Sequence, residues 1–365
     1  MRLHYYFARK FAWTLSTVLG IFLGILMLLD IAEQLRKYGS ERIGFGELMA
    51  LSALNVPMTL YRVLPLIVIL ATLALFLGLA RSSELVVTRA AGRSAMRALS
   101  APVLVALLFG MVAVAVLNPI VAATSKEYEA RANEFASGQR NTFSISGEGL
   151  WLRQGGPEGQ TVIHARQASL DGTRLSRASF LSFSPDGTPS FRIEAETATL
   201  IPGAWILKGV KSWPLSGSEN PERDSETRDE LRLPSELTRD QIRDSFGTPS
   251  AIPIWDLPAF IRSLDRAGFS ARKHRVWLQM ELALPFMFVA MVLLGAGFTM
   301  RHARFGRTGV MALTAILMGF VLFFIRNFAQ VLGESGQIPV LLAAWSPPLA
   351  AIFLSLGLLL HLEDG

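Results

Sequence analysis

The chain has 365 residues, of which 51% are hydrophobic and only 18% charged. Soluble chains average about 25% charged residues, and here the apolar excess runs in long blocks, which excludes an ordinary cytosolic enzyme, a disordered regulator and a fibrous protein. The absence of cysteine removes disulfide scaffolds, zinc-thiolate sites and thiol nucleophiles, and the formal net charge of +6 takes its meaning from where the basic residues sit.

A bilayer core about 30 Å thick takes roughly 20 apolar residues per helical span. Six stretches qualify: residues 11–29, 60–80, 101–123, 276–300, 308–325 and 338–360. The first follows Arg2, Arg9 and Lys10, as a signal peptide would. It is too long for a signal h-region and runs into Asp30, Glu33 and Gln34 without a small-residue cleavage site, so an uncleaved span is expected. Gly20 and Gly24 form a small-xxx-small pair on it, suited either to a partner interface or to packing within the subunit.

Short-loop lysines and arginines set the expected orientation. They gather at the N-terminus, between spans two and three (Arg81, Arg89, Arg93, Arg97) and between spans four and five (Arg301, Arg304, Arg307). Both termini are therefore expected in the cytoplasm, and the basic balance reflects topology rather than a nucleic-acid partner.

The polar insert at 124–275 is expected on the other side. Residues 125–135 extend the third span as a helix; then the apolar period changes to two, with strands at 142–146, 161–165, 191–195 and 204–210 between Gly, Pro and Asp residues. Short strands at this spacing point to a β-sandwich or open barrel. Residues 216–230, rich in Ser, Glu, Arg and Asp, read as a mobile loop, and 258–267 as a short amphipathic helix stopped by Gly268.

No Gly-Lys pair occurs, so the phosphate-cradling G-x-x-x-x-G-K-[ST] pattern is absent, as are H-E-x-x-H and G-x-S-x-G. Glu281 is the one strongly ionisable group placed well inside a span, and it reads as a carboxylate snorkelling to the interface below Arg272–Arg275. An enzyme is not expected.

The segment from Leu79 through Ser94 (LARSSELVVTRAAGRS) follows span two directly. Ser82 or Ser83 can cap a short helix, Glu84 suits its positive N-terminus, and Gly92 can end it. Leu85, Val86 and Arg89 then share one side, as a docking element on a separate motor requires; an ordinary inter-span loop with topogenic arginines has the same composition.

This stretch resembles the coupling loop of the LptF/LptG (YjgP/YjgQ) family of lipopolysaccharide-export permeases, L-x-x-x-S-E-L-x-x-x-x-A-x-G. The resemblance extends along nearly the whole chain. It includes Asp30 to Gly39, which looks like the first-span end of the LptG branch, and Val56-Pro57, Leu64-Pro65, Gly149-Leu150-Trp151, Ala267 to Arg272 through Pro285, Ile338-Pro339, Ala344 to Pro347 and the closing Leu362 to Gly365.

The resemblance implies a six-helix membrane protein with an inserted, periplasmic β-jellyroll-like domain. Residues 1–124 would hold spans one to three with a coupling helix at 82–91, 125–271 the β domain, and 272–365 spans four to six. It implies a half-transporter in the bacterial inner membrane, paired with an LptF-like permease and driven by a dimeric LptB-like ATPase. That ATPase would be the user of ATP, this chain carrying no cofactor or metal of its own. Lipopolysaccharide would pass to an LptC-like periplasmic bridge.

It further implies that Glu84, Leu85 and Arg89 contact the ATPase. Arg36 and Lys37, just past the outer end of span one, together with Arg62 near the outer end of span two on position alone, would grip the lipid's phosphates; the alternative is that they mark the interface and pair with Glu33 or headgroups. Phe143, Ile145, Ile163, Phe191 and Ile193 share one strand face, which is either a lipid path or a sealed core. Two other classes remain at this point: a membrane-anchored β-domain scaffold without a motor, and a secondary transporter, which usually shows inverted repeats or broken helices.

Overall fold

A computed structural model describes residues 2–38, 44–82, 84, 95–136, 143–146, 149–156, 159–168, 173–217, 219–235, 237, 249–266, 270–300 and 308–363. In chain order these form α1 (Arg2–Tyr38), α2 (Phe45–Arg81), α3 (Ala95–Val112), a π-helical turn (Ala113–Leu117) and α4 (Asn118–Ala136). Seven strands follow: β1 (Phe143–Ser146), β2 (Gly149–Gly156), β3 (Gly159–Ala168), β4 (Arg174–Phe183), β5 (Pro189–Ile201), β6 (Ala204–Pro214) and β7 (Glu226–Pro234). Then come α5 (Leu257–Arg266), α6 (Arg272–Thr299), α7 (Thr308–Ser335) and α8 (Val340–Glu363). The chain divides into a helical unit, residues 1–131, 250–255 and 272–365, and a β unit, residues 132–249 and 256–271.

Among the described residues, six helices are long and apolar enough to cross a membrane. A bilayer offers backbone N–H and C=O groups no partners, so a spanning segment pairs them within itself as a helix. The helices outrun the apolar blocks: α1 continues through Arg36 and Lys37, and α2 starts at Phe45, where Leu48, Leu51, Ser52 and Val56 make a buried stripe. α2 and α6 are the most buried of the six and α1 and α7 the least. Phe7, Phe11 and Leu15 of α1 pack into the same core as Leu64, Ile67 and Phe76 of α2 and Met287, Phe288 and Met291 of α6. A Cβ on Gly110 would stand 2.5 Å from the Cα of Pro285, so a glycine is what lets α3 come this close to α6. Gly20 and Gly24 face open space, with nothing within 4 Å, and pack no other helix of this subunit among the described residues.

The π turn shifts one carbonyl out of the helical ladder, as such turns do. Trp255 Nε1 donates to Ala115 O at 3.2 Å, and Asn118 Oδ1 accepts the Ile254 amide at 2.9 Å. The 250–255 segment is thereby stitched to the helical unit.

In the β unit all seven strands pair antiparallel with their sequence neighbours in one sheet. Ser235 Oγ donates to Gln154 Oε1 at 2.8 Å, bringing the end of β7 to β2, so the sheet rolls back on itself there. The register aligns Phe143, Leu152, Ile163, Phe180 and Ile193 in one row and Ile145, Leu150, Ala165, Ala178, Ala195 and Val210 in the next. Within these rows Leu150, Leu152, Ile163, Ala165, Ala178, Phe180, Ile193, Ala195 and Val210 are buried.

Strict alternation then breaks along one line. β4 buries Leu175 and then Ala178, β5 buries Ala195 and then Ala198, and β6 buries Leu207 and then Val210, so these strands change face at Arg177, Glu196 and Gly209. Arg177 has φ 52° and Gly209 φ 63°, left-handed conformations that turn the next side chain over. A Cβ on Gly209 would also meet Glu196 Cγ at 2.8 Å.

The expected mobile loop at 216–230 is corrected in its last residues: Glu226 to Glu230 belong to β7, paired with β6. An outermost strand needs only its backbone bonds on one side, so it can be charged on both faces, which also blunts its free edge.

Gly209→Ala should weaken the β unit by about 1–2 kcal/mol, the cost of a left-handed non-glycine residue. Hydrogen exchange on the purified full chain should show faster exchange in β4–β6 and unchanged exchange in α2 and α6; unaltered strand protection would contradict this origin of the bend.

Candidate functional site

Polar side chains of the helical unit collect at three levels. At the start of α1, Lys10 Nζ lies 2.8 Å from Glu84 Oε1, and Tyr6 Oη donates to Glu84 Oε2 at 2.8 Å. Ser82, whose amide closes α2 on Gly78 O, donates its hydroxyl to Glu84 Oε1 at 2.8 Å. Partial burial disfavours the Glu84 carboxylate, but the donors from Lys10, Tyr6 and Ser82 outweigh it and hold the group below the usual glutamate range. The residue expected to touch a motor is thus anchored to the first helix. Leu85 and Arg89, and the rest of the expected helix 82–91 apart from Ser82 and Glu84, lie outside the described residues.

At the second level, Tyr61 of α2 donates a short hydrogen bond to Glu281 of α6. Glu281 is 1% exposed, and its Oε1 has no hydrogen-bond partner among the described residues. This corrects the expected snorkelling carboxylate: Glu281 points into the bundle, where the Tyr61 hydroxyl supplies a donor and Arg326 of α7 a positive charge. Asn118 stands beside both Tyr61 and Glu281. Tyr61, Glu281 and Arg326 border a cavity of about 260 Å³, lined also by Arg62, Trp277 and Asn327 among others. Arg62, expected as a phosphate contact from position alone, reaches this cavity; Arg36 and Lys37 are not among its lining residues.

The third level lies toward the end of α1. Asp30, buried, accepts from Asn55 Nδ2 of α2 at 2.6 Å, while Gln34 Nε2 donates to the Tyr128 hydroxyl of α4 at 3.0 Å. Arg36 and Lys37 follow in the last turn of α1, both exposed. A carboxylate and an amide inside a helix junction explain why the polar run after the first span stays helical.

In the β unit, Ile163 and Ile193 sit in the buried rows beside Phe180 and Trp205, which meet edge to face at 6.1 Å. Phe191, two residues before Ile193 on β5, is 51% exposed. Phe143 and Ile145 are placed in the same rows by register alone.

Three members of the buried cluster, Tyr61, Asn118 and Arg326, do not stand out in the sequence. Arg326 reads there as a helix-end residue, yet α7 runs on to Ser335. An ionisable residue inside a span is itself a functional signal, and here the true length of the span is what reveals it.

Six long apolar helices and a β domain inserted between the third and fourth define a helical membrane protein. A family model described as lipopolysaccharide export system permease LptF/LptG matches residues 5–361, and the chain belongs to that family. It is similar to the lipopolysaccharide export system permease protein LptG of Escherichia coli strain K12, at 23% identity over 365 residues covering 98% of this chain and 97% of that protein. It is also similar to the LptG protein of Haemophilus influenzae, at 22% identity over 371 residues and 98% of both chains.

The Lys10–Glu84 pair is half-exposed, so it contributes about 0.2–1 kcal/mol. Because the Glu84 carboxyl titrates lower in the folded chain, that contribution is full above the unfolded-state pKa and is lost as pH falls through the folded one. A double-mutant cycle of Lys10→Met and Glu84→Gln on thermal unfolding should give a coupling of this size at neutral pH and none in strong acid. A coupling that persists in acid would show that the charge on Glu84 is not its source.

Proposed function

We propose that this chain is one permease half of an ABC-type exporter that extracts lipopolysaccharide from the inner membrane and passes it to a periplasmic bridge. Its partners would be an LptF-like second permease, a dimeric LptB-like ATPase that uses the ATP, and an LptC-like bridge protein. Both termini and Glu84 would then face the cytoplasm, and the β unit the periplasm. The family match carries the reading, because it spans the helices and the inserted β domain alike.

Contacts along α1 support a route from motor to lipid. A motor acting on Glu84 would also act on Lys10 and Tyr6, to which Glu84 is bonded, and those residues stand on the helix whose far end carries Arg36 and Lys37. α1 is held at two places along its length, Lys10 to Glu84 and Asp30 to Asn55, and is one continuous helix between them, which suits it to carry a displacement from one end to the other. Arg36 and Lys37 would hold the anionic head while the apolar helix faces hold the chains. The buried rows with Ile163 and Ile193 would open to take acyl chains onward, with exposed Phe191 at their rim.

Two substitutions test this in the purified complex. Glu84→Ala should leave membrane insertion intact and reduce ATPase association or ATP-driven lipid release several-fold. Exchanging Arg36 and Lys37 together for glutamate should lower lipopolysaccharide occupancy and uncouple ATP hydrolysis from substrate, with the complex still assembled. Normal transport by the first variant would remove Glu84 from motor coupling, and unchanged occupancy in the second would remove Arg36 and Lys37 from the lipid site.

A further inference from the structure

The cavity between α2, α6 and α7 holds two guanidinium groups and one carboxylate, Arg62, Arg326 and Glu281, and so an excess of positive charge. Among the described residues neither arginine forms a hydrogen bond or ion pair, and each guanidinium carries five donors. Arg326 and Glu281 attract one another electrostatically without closing to a 4.0 Å ion pair. Glu281 is instead fixed by Tyr61 through one oxygen, with Asn118 beside it, and among the described residues neither its Oε1 nor the buried indole N–H of Trp277 meets a hydrogen-bond partner. A bridge whose only purpose was to join α6 to α7 would close, because unmade donors and acceptors inside a span are costly. These groups are arranged around room for something else.

We propose that Arg326, with Arg62, forms a phosphate-receiving site in this cavity, and that Glu281, held by Tyr61, is the resident counter-ion which an arriving lipid phosphate displaces. The proposal deepens the export reading and rests on it for the identity of the lipid. At about 260 Å³ the space is smaller than the roughly 300–1,000 Å³ of pockets that enclose drug-sized ligands. It therefore takes one phosphate group with its ester linkage, while the sugars and acyl chains stay outside. Arg62, which is exposed, stands at the mouth, and half-buried Arg326 lies deeper. Glu281 and Arg326 each lie roughly two and a half turns in from the same end of the bundle, where Arg272 of α6 donates to Gly333 O near the end of α7. On the export reading this end of the bundle faces the outer leaflet, and the two groups lie below its headgroups, within the span.

A phosphate bears acceptor oxygens that match paired guanidinium donors, and it replaces the carboxylate as the neutralising charge. Glu281 then sets how tightly the phosphate is held. With it present, the excess charge is small enough for the phosphate to leave; without it, the phosphate is retained.

The test uses the full chain, in complex with whatever partners co-purify, reconstituted in nanodiscs. Binding of lipopolysaccharide, of the same lipid after phosphatase treatment, and of phosphatidylglycerol is measured for the parent, Arg326→Gln and Glu281→Gln. Arg326→Gln should weaken phosphorylated-lipid binding about tenfold, and Glu281→Gln should strengthen it several-fold while slowing release. The dephosphorylated lipid should respond to neither. Opposite signs from the two substitutions support a receiving site with a counter-ion. Equal losses from both, accompanied by lowered thermal stability, would make the groups a structural pair and overturn the proposal, as would insensitivity of every phosphorylated lipid to Arg326→Gln. If the two variants behave as expected on phosphatidylglycerol while the parent does not bind lipopolysaccharide, the site stands and the export reading fails.

Discussion

The hydrogen bond from Tyr61 to Glu281 joins the two most buried helices of the bundle, α2 and α6, and the helical unit is arranged around that pair. A carboxylate inside a bilayer is tolerated only where protein groups or a polar cavity replace its water. Here the phenol supplies a donor, Asn118 borders the site, and Arg326 brings the compensating charge from α7. Asn118 also receives the Ile254 amide just past the π turn, so the same buried polar cluster fixes the segment that returns from the β domain. Removing one member alone would leave its partners buried without compensation, which is the costly change in such a cluster.

Around this centre the remaining helices differ in how much they are covered. α1 packs on α2 and α3 through Phe7, Phe11 and Leu15, but Trp13, Leu28 and Leu29 point outward. On α7, Leu317, Phe324 and Phe328 do the same. In a membrane such faces meet lipid tails or another subunit at similar free energy, so exposure alone does not choose between them. Gly20 and Gly24, open on α1, permit a close helix approach there. The polar ties are placed so that α1 is held to α2 near both of its ends, while the apolar face between them is left uncovered.

Much of this organisation is legible in the sequence, for reasons specific to each element. The six spans are visible because each needs an unbroken apolar run, and the β domain because Ile163, Ile193 and Val210 alternate with polar neighbours. The extent of α2 is not visible, because residues 45–59 bury one stripe and mix polar groups on the other. β4 escapes because its buried positions, Leu175 and then Ala178, step by three across the turn at Arg177, a conformation the residue types do not announce. β7 escapes because an outer strand can be charged on both faces. At the candidate site, Arg62 and Glu281 can be singled out as charges within or beside spans, but their meeting with Arg326 depends on how α2, α6 and α7 pack. Residues so far apart in sequence carry no shared pattern. Glu84 is recognisable from its motif, whereas its bond to Lys10 is not.

On the proposed function this six-helix chain is one half of a lipid exporter rather than a free-standing anchor for its β domain. Native mass spectrometry of the chain purified gently from its own membranes tests that most directly. One assembly is expected, containing this chain, a second six-span subunit of the same family, two copies of a cytoplasmic ATPase and bound lipopolysaccharide. Recovery of the chain alone, or with phospholipid but neither ATPase nor second permease, would contradict it.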